Sequence, residues 1–186
     1  MIARLLLKGS IDVNAQDKDR NTALHLAAFQ ARFRITRVLL DHGANTNARD
    51  EDGETPLHLL SQGKYHSQDS VFIAWLQLER GIDVDAQDKE HKTTLHLAAF
   101  QARLGITRVL LDHGANTSAK NKNGETLLHR VSWNEYYSQE DSVSTAWLLL
   151  ECSMDIHAID EGNNSDDVLS DGSQSCFSDT QRVKIK

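Results

Sequence analysis

Four copies of one phrase constrain this chain more than any other feature: Thr22-Ala23-Leu24-His25, Thr55-Pro56-Leu57-His58, Thr93-Thr94-Leu95-His96 and Thr126-Leu127-Leu128-His129. Their histidines stand 33, 38 and 33 positions apart, and a leucine-rich stretch follows each copy. A chain that repeats itself at this period does not build one closed core. Each unit is too small to bury its own apolar face, so neighbours stack and the core runs along the array. Such arrays offer an extended face to other molecules and rarely carry chemistry.

Each unit reads as two helices and a turn. The threonine is a helix cap, able to take up backbone N–H groups left free in the first turn. Pro56, the single proline, sits just inside that start, where its missing N–H is harmless. The first helix continues as Leu24 to Ala28 and as Leu95 to Ala99, with small alanines that let a second helix lie close. The second helix reads Ile35 to His42 and stops at Gly43, because glycine enters left-handed backbone cheaply. Gly81 and Gly114 repeat the device. A polar stretch, Ala44 to Asp50, then leads through a turn at Asp52-Gly53 into the next Thr-x-Leu-His.

Helix, helix and projecting turn at this period, opened by Thr-Pro-Leu-His, resembles the ankyrin repeat. Leu39-Leu40-Asp41-His42-Gly43-Ala44-Asn45 and Asp12-Val13-Asn14-Ala15-Gln16-Asp17 are phrases of the same family. The resemblance covers residues 1–160 and implies an all-α helical repeat solenoid with short projecting β-hairpin turns. A leading half repeat over 1–16 would be followed by repeats over about 17–49, 50–87, 88–120 and 121–160. It also implies a protein–protein interaction module that holds a partner protein by its turn tips and first-helix groove. Carried over by match, the turn-tip residues are Lys18, Asp19, Asn21, Glu51, Asp52, Glu54, Lys89, Glu90, Lys92, Lys122, Asn123 and Glu125. Those from the helices are Phe29, Gln30, Phe100, Gln101 and Trp133. The four motif histidines would be buried structural clips between neighbouring repeats.

The sequence departs from the family pattern in places. Ala31-Arg32 and Ala102-Arg103 stand where most ankyrin repeats carry Gly-His, so that turn is expected to be tighter or less defined. The turn glycine, kept as Gly53 and Gly124, is Arg20 in one copy and His91 in another, and Ser153 replaces the last stop glycine. Small losses of stability with an intact fold are expected.

The segments His25 to Arg32 and Ile35 to Thr46 recur unchanged as His96 to Arg103 and Ile106 to Thr117, both at an offset of 71. The copied unit is therefore a pair of repeats, one standard and one long. The long member carries extra residues between its helices, Ser61 to Ser70 and Ser132 to Ser142, which are loops by composition. A tolerated surface insertion is the commoner reading of such loops; a place beside the binding face is the alternative. Met1 to Gly9 reads as a second helix with no first helix before it, too short to span a bilayer. Residues 161–186 read as a disordered acidic tail rich in Ser, Asp, Gly and Asn. Neither end shows a polar capping repeat. That pattern suggests a fragment, a truncated gene model or a short member of a larger group of arrays, and end-to-end self-association through the uncapped ends.

The formal net charge of −7 argues against nucleic-acid binding by general electrostatics. Two cysteines, Cys152 and Cys176, cannot make a disulfide framework. Without a signal or membrane segment, a cytosolic or nuclear protein is expected, with no membrane insertion. No nucleophile motif, phosphate-cradling glycine loop or zinc-type His spacing appears, so no enzyme activity, cofactor or metal is expected. His42 and His113 stand at second-helix ends, where a partly charged imidazole is favoured. The turn carboxylates (Asp17 and Asp19; Asp50, Glu51 and Asp52; Asp88 and Glu90) read as solvated turn residues.

The aromatic residues leave two readings open. Phe29, Phe100 and Trp133 hold matching places in three repeats, with Gln62 in the fourth. They form either an exposed stripe along the groove or rings folded back beneath the next helix. Trp75 and Trp147, in the second helices of the long repeats, are expected to cover the inserted loops and pack on their tyrosines (Tyr65, or Tyr136 and Tyr137) or on aliphatic residues. Two alternatives to a self-standing binding module are a regulatory fragment of a longer multidomain signalling protein or enzyme, and a truncated, non-functional product. Truncation after Asp160 is expected to leave the helical circular dichroism signal and melting temperature nearly unchanged. A fall of many degrees on thermal melting would show that the tail packs on the array.

Overall fold

The structure is a computed structural model that describes residues 11–65, 67–133 and 139–160, the side chains of 139 and 153–160 excepted. The readings placed on residues 1–10, Tyr136, Tyr137 and the tail over 161–186 lie outside the described residues. Eight helices appear among the described residues, in four antiparallel pairs: α1 (Ala23–Phe29) with α2 (Phe33–Asp41), α3 (Pro56–Gln62) with α4 (Gln68–Glu79), α5 (Thr94–Phe100) with α6 (Leu104–Asp112), and α7 (Leu127–Ser132) with α8 (Gln139–Asp160). First helices stack on first helices, α1 on α3 on α5 on α7. Second helices stack likewise, α2 on α4 on α6 on α8. The architecture is the expected helical solenoid. The projecting turns carry a single isolated antiparallel bridge among the described residues, Gln87 to Thr93.

The core follows the repeat phrase. Leu24, Leu57 and Leu95 are completely buried, and so are Ala28, Ala98 and Ala99, whose small side chains let the paired helices meet. Leu40, Leu78, Leu111 and Leu149 close the layer from the second helices. The fourth copy differs: Leu128 is 41% exposed, because no described repeat stacks beyond α7. Second helices α2, α4 and α6 end where glycine takes a left-handed geometry, at Gly43 (φ +81°), Gly81 (+79°) and Gly114 (+78°). At Ser153 that stop is missing, and α8 continues to Asp160 through the segment that forms a loop in the other repeats.

The link between first and second helix is well defined, contrary to one reading of its altered sequence. Ala31 and Ala102 both adopt φ +50°. The Arg32 N–H donates to the Ala27 carbonyl and the Arg103 N–H to the Ala98 carbonyl, both at 2.9 Å. These are the bonds of a left-handed helix cap, formed with alanine where glycine would be unstrained. Arg20 (φ +63°) and His91 (φ +56°) are held left-handed in the projecting turns in the same way, where Gly53 and Gly124 stand in the other two.

In the first long repeat the insertion is tied down. Gly63 lies so close to α1 that an added Cβ would fall 2.4 Å from the Phe29 carbonyl oxygen. The Tyr65 carbonyl accepts hydrogen bonds from the Ser70 hydroxyl (2.7 Å) and from Nη1 of the buried Arg103 (2.8 Å). The loop is thus held through its backbone. Trp75 and Trp147 are 47% and 64% exposed, and the ring pair seen among the described residues is Phe33 with Phe72, 6.2 Å apart.

A non-glycine residue held left-handed costs roughly 1 kcal/mol. Arg20→Gly and His91→Gly are therefore expected to stabilise the fold by about 0.5 to 1 kcal/mol each in urea denaturation. Gly53→Ala is expected to destabilise it, since the Lys89 backbone nitrogen already lies 3.3 Å from where its Cβ would sit.

Candidate protein-binding face

One device sets the spacing of the repeats. The Thr22 backbone N–H donates to His25 Nδ1 (3.1 Å), and the Thr22 hydroxyl meets the same nitrogen at 2.9 Å. An Nδ1 that accepts a backbone N–H carries no proton, so the ring's hydrogen sits on Nε2. Nε2 then donates to the Glu54 carbonyl in the turn of the next repeat (3.1 Å). His58 repeats this with Thr55 and the Lys92 carbonyl (3.2 Å). His96 bonds Thr93 in the same manner and feels the Glu125 carbonyl, but Nε2 does not reach it in hydrogen-bond geometry, so this third link is looser. These three rings are fully buried. His129 bonds Thr126 yet is exposed, so the expectation of four buried clips holds for three. Its ring would need a further repeat to cover it.

The turns are built by a second device. Asp50 Oδ1 accepts the N–H groups of Asp52 (3.0 Å) and Glu54 (2.8 Å). Asp17, Asp88 and Asn121 bracket their turns in the same way. Asp50 and Asp88 are buried, so they are structural brackets, where sequence suggested solvated turn residues. Adjacent tips are stitched by one backbone bond each: the Glu51 N–H to the Asp19 carbonyl, Lys89 to Asp52, and Lys122 to Glu90, all 2.9–3.0 Å. His42 and His113 donate from Nδ1 to the Val38 and Val109 carbonyls, each 2.7 Å, at the helix ends.

With the tips fixed, their side chains line up along one edge. Lys18, Asp19, Glu51, Asp52, Lys89, Glu90, Lys122 and Asn123 are exposed, while Asn21, Lys92 and Glu125 are half-buried. Glu54 is not a tip residue: it is only 9% exposed, and Gln62 Nε2 donates to its Oε1. Burial, and then the Asp50 carboxylate, push the Glu54 pKa up to about 7 against the pull of the Gln62 bond. Along the first-helix row, Phe29 is 41% exposed and Trp133 is 68% exposed. Phe100 is half-buried, with the Arg130 guanidinium 4.3 Å above its ring. The two readings of the aromatic row thus divide: the outer rings are open and the third is stacked. Gln30 is exposed and Gln101 half-buried. Leu26, one turn before Phe29 and exposed, and Arg130 were not singled out from sequence. Both occupy the variable place just after Leu-His, where a change from leucine to arginine was the available signal.

Among the described residues no three His, Cys, Asp or Glu side chains converge as a metal site, and no helix is long and apolar enough to cross a membrane. Stacked helix pairs joined by a stitched row of turns define a helical repeat array. The model for ankyrin repeats in many copies matches residues 5–60, and that for three copies of the ankyrin repeat matches residues 64–160. The chain belongs to the ankyrin repeat family, whose arrays generally act as protein–protein interaction modules and are typically non-enzymatic scaffolds. A comparison with curated proteins finds no match.

His58→Ala is expected to cost about 2 kcal/mol, since the Thr55 N–H and the Lys92 carbonyl lose their partner in the interior; His129→Ala is expected to cost far less. Burial lowers the pKa of His25, His58 and His96 below 6.5. Below pH 6.5 the unfolded chain therefore binds protons that the folded chain does not, and stability falls on acidification. Glu54 acts in the opposite sense: between 4.5 and about 7 the folded chain holds a proton that the unfolded chain has lost. Urea titrations from pH 8 to 5 are expected to show these two opposed contributions, which Glu54→Gln separates. Glu54→Gln is expected to be more stable than the parent at pH 8, by on the order of 1 to 2 kcal/mol, and to lose stability more steeply toward pH 5.

Proposed function

We propose that this array binds a partner protein through its turn tips and first-helix groove. Lys18, Asp19, Asn21, Glu51, Asp52, Lys89, Glu90, Lys92, Lys122, Asn123 and Glu125 would supply the polar edge. Phe29, Gln30, Phe100, Gln101 and Trp133 would supply the groove wall, with Glu54 beneath. The observation that carries this reading is the open pair of aromatics at the two ends of the first-helix row, Phe29 and Trp133, beside a rigid row of charged tips. Aromatic anchors ringed by polar groups are what binding hot spots are made of. The backbone stitches hold the tips in a fixed geometry, so association does not have to order them.

Affinity capture from the source cell tests the assignment. Proteins retained by the parent chain are expected to be lost with Phe29→Ala/Trp133→Ala and kept with Trp75→Ala/Trp147→Ala, which alters the opposite helix layer. The reverse pattern would move the binding face to the second helices.

A further inference from the structure

The duplication at an offset of 71 lets one half of the array serve as a template for the other. In the second half, the Arg130 guanidinium lies 4.3 Å over the Phe100 ring, with its Nη1 3.6 Å from Glu125 Oε2. A cation is thus held between an aromatic face and a carboxylate. Moving back 71 residues, Phe100 becomes Phe29, Glu125 becomes Glu54 and Arg130 becomes Leu59. The ring and the carboxylate are kept and the cation is gone.

The carboxylate's other support is gone too. Asn121 Nδ2 donates to Glu125 Oε2 at 2.6 Å, whereas the matching residue in the first half is Asp50, which has no side-chain N–H to give. Glu54 receives a hydrogen bond on Oε1 from Gln62. Its Oε2 accepts none among the described residues, and no Lys or Arg pairs with it there. The residue is nevertheless about nine-tenths buried. Phe29 is 41% exposed and carries no cation on its ring among the described residues. A mostly buried carboxyl group with only one oxygen bonded leaves the other open to a donor from outside the chain.

We propose that Phe29 and Glu54 form an anchor for an arginine side chain of a peptide segment of the partner. The guanidinium would lie against the Phe29 ring and pair with the Glu54 carboxylate, as Arg130 lies on its own ring and pairs with Glu125. Glu51 and Asp52 on the adjoining exposed tip favour a basic segment over an acidic one. Arginine fits better than lysine, because its planar head stacks on a ring while still donating in its own plane. The assignment rests on the binding face proposed above and names what that face recognises at its first-half end.

Peptide selection on the full chain tests it, with a phage-displayed library of random dodecamers as the probe. Binders to the parent chain are expected to be enriched several-fold in arginine. Glu54→Gln is expected to abolish that enrichment. Leu59→Arg, which supplies the guanidinium from within, is expected to abolish it as well while raising the melting temperature. Glu51→Gln/Asp52→Asn removes more charge from the same turn but leaves the anchor, and is expected to weaken the enrichment without abolishing it. Circular dichroism on each variant establishes that the helices are intact. Binders without arginine preference, competed off by Phe29→Ala/Trp133→Ala-sensitive sequences, would overturn the anchor and leave the binding face standing. Arginine enrichment that survives both Glu54→Gln and Leu59→Arg, or that disappears equally with the tip-charge variant, would also overturn it. No selectable peptide at all would overturn the anchor and the binding face together.

Discussion

The array depends on a neutral imidazole that faces two ways. One ring nitrogen accepts the N–H at the start of its own helix, and the other donates to the carbonyl of the next turn. A protonated ring could not do both, because both nitrogens would then be donors. Burial keeps the rings neutral, and neutrality is what links each helix to its neighbour's turn. Capping, turn position and repeat spacing are thereby fixed together. This bond joins the first three repeats, and the stitches between tips and the apolar layers join all four, so stability is passed along the stack from one unit to the next.

Much of this was legible in the sequence. The period gave the architecture, Gly43, Gly81 and Gly114 marked the helix ends, and Leu-His placed the buried leucine and the clip. Where the reading failed, the cause was a contact that no periodicity carries. His129 and Leu128 have the motif but lack a stacked neighbour among the described residues, and a motif cannot report what lies beyond it. Asp50 and Asp88 looked like solvated acids because their burial comes from the adjacent turn. The first inserted loop is tied through the Tyr65 carbonyl by Arg103, a backbone contact invisible to side-chain pattern.

The candidate face was legible only in outline. Matching the family pointed to the projecting turns, most of whose tip residues are exposed, but Glu54 went with them on position alone. Its burial follows from Gln62, which replaces an aromatic at that register and reaches back to its carboxylate. Phe100 differs from Phe29 because Arg130 replaces a leucine one repeat onward. Both facts are interactions between variable positions in neighbouring repeats. A single repeat read against a consensus does not contain them.

The four non-glycine residues held at positive φ are Arg20, Ala31, His91 and Ala102. All four belong to the standard repeats, at matching places 71 positions apart, and the long repeats have none among the described residues. Backbone tension is therefore distributed with the period of the duplicated pair and not with that of the single repeat. Softer and firmer units alternate along the stack, so local opening favours the strained turns of every second unit. Mechanically, this solenoid is a chain of two links, each copied once.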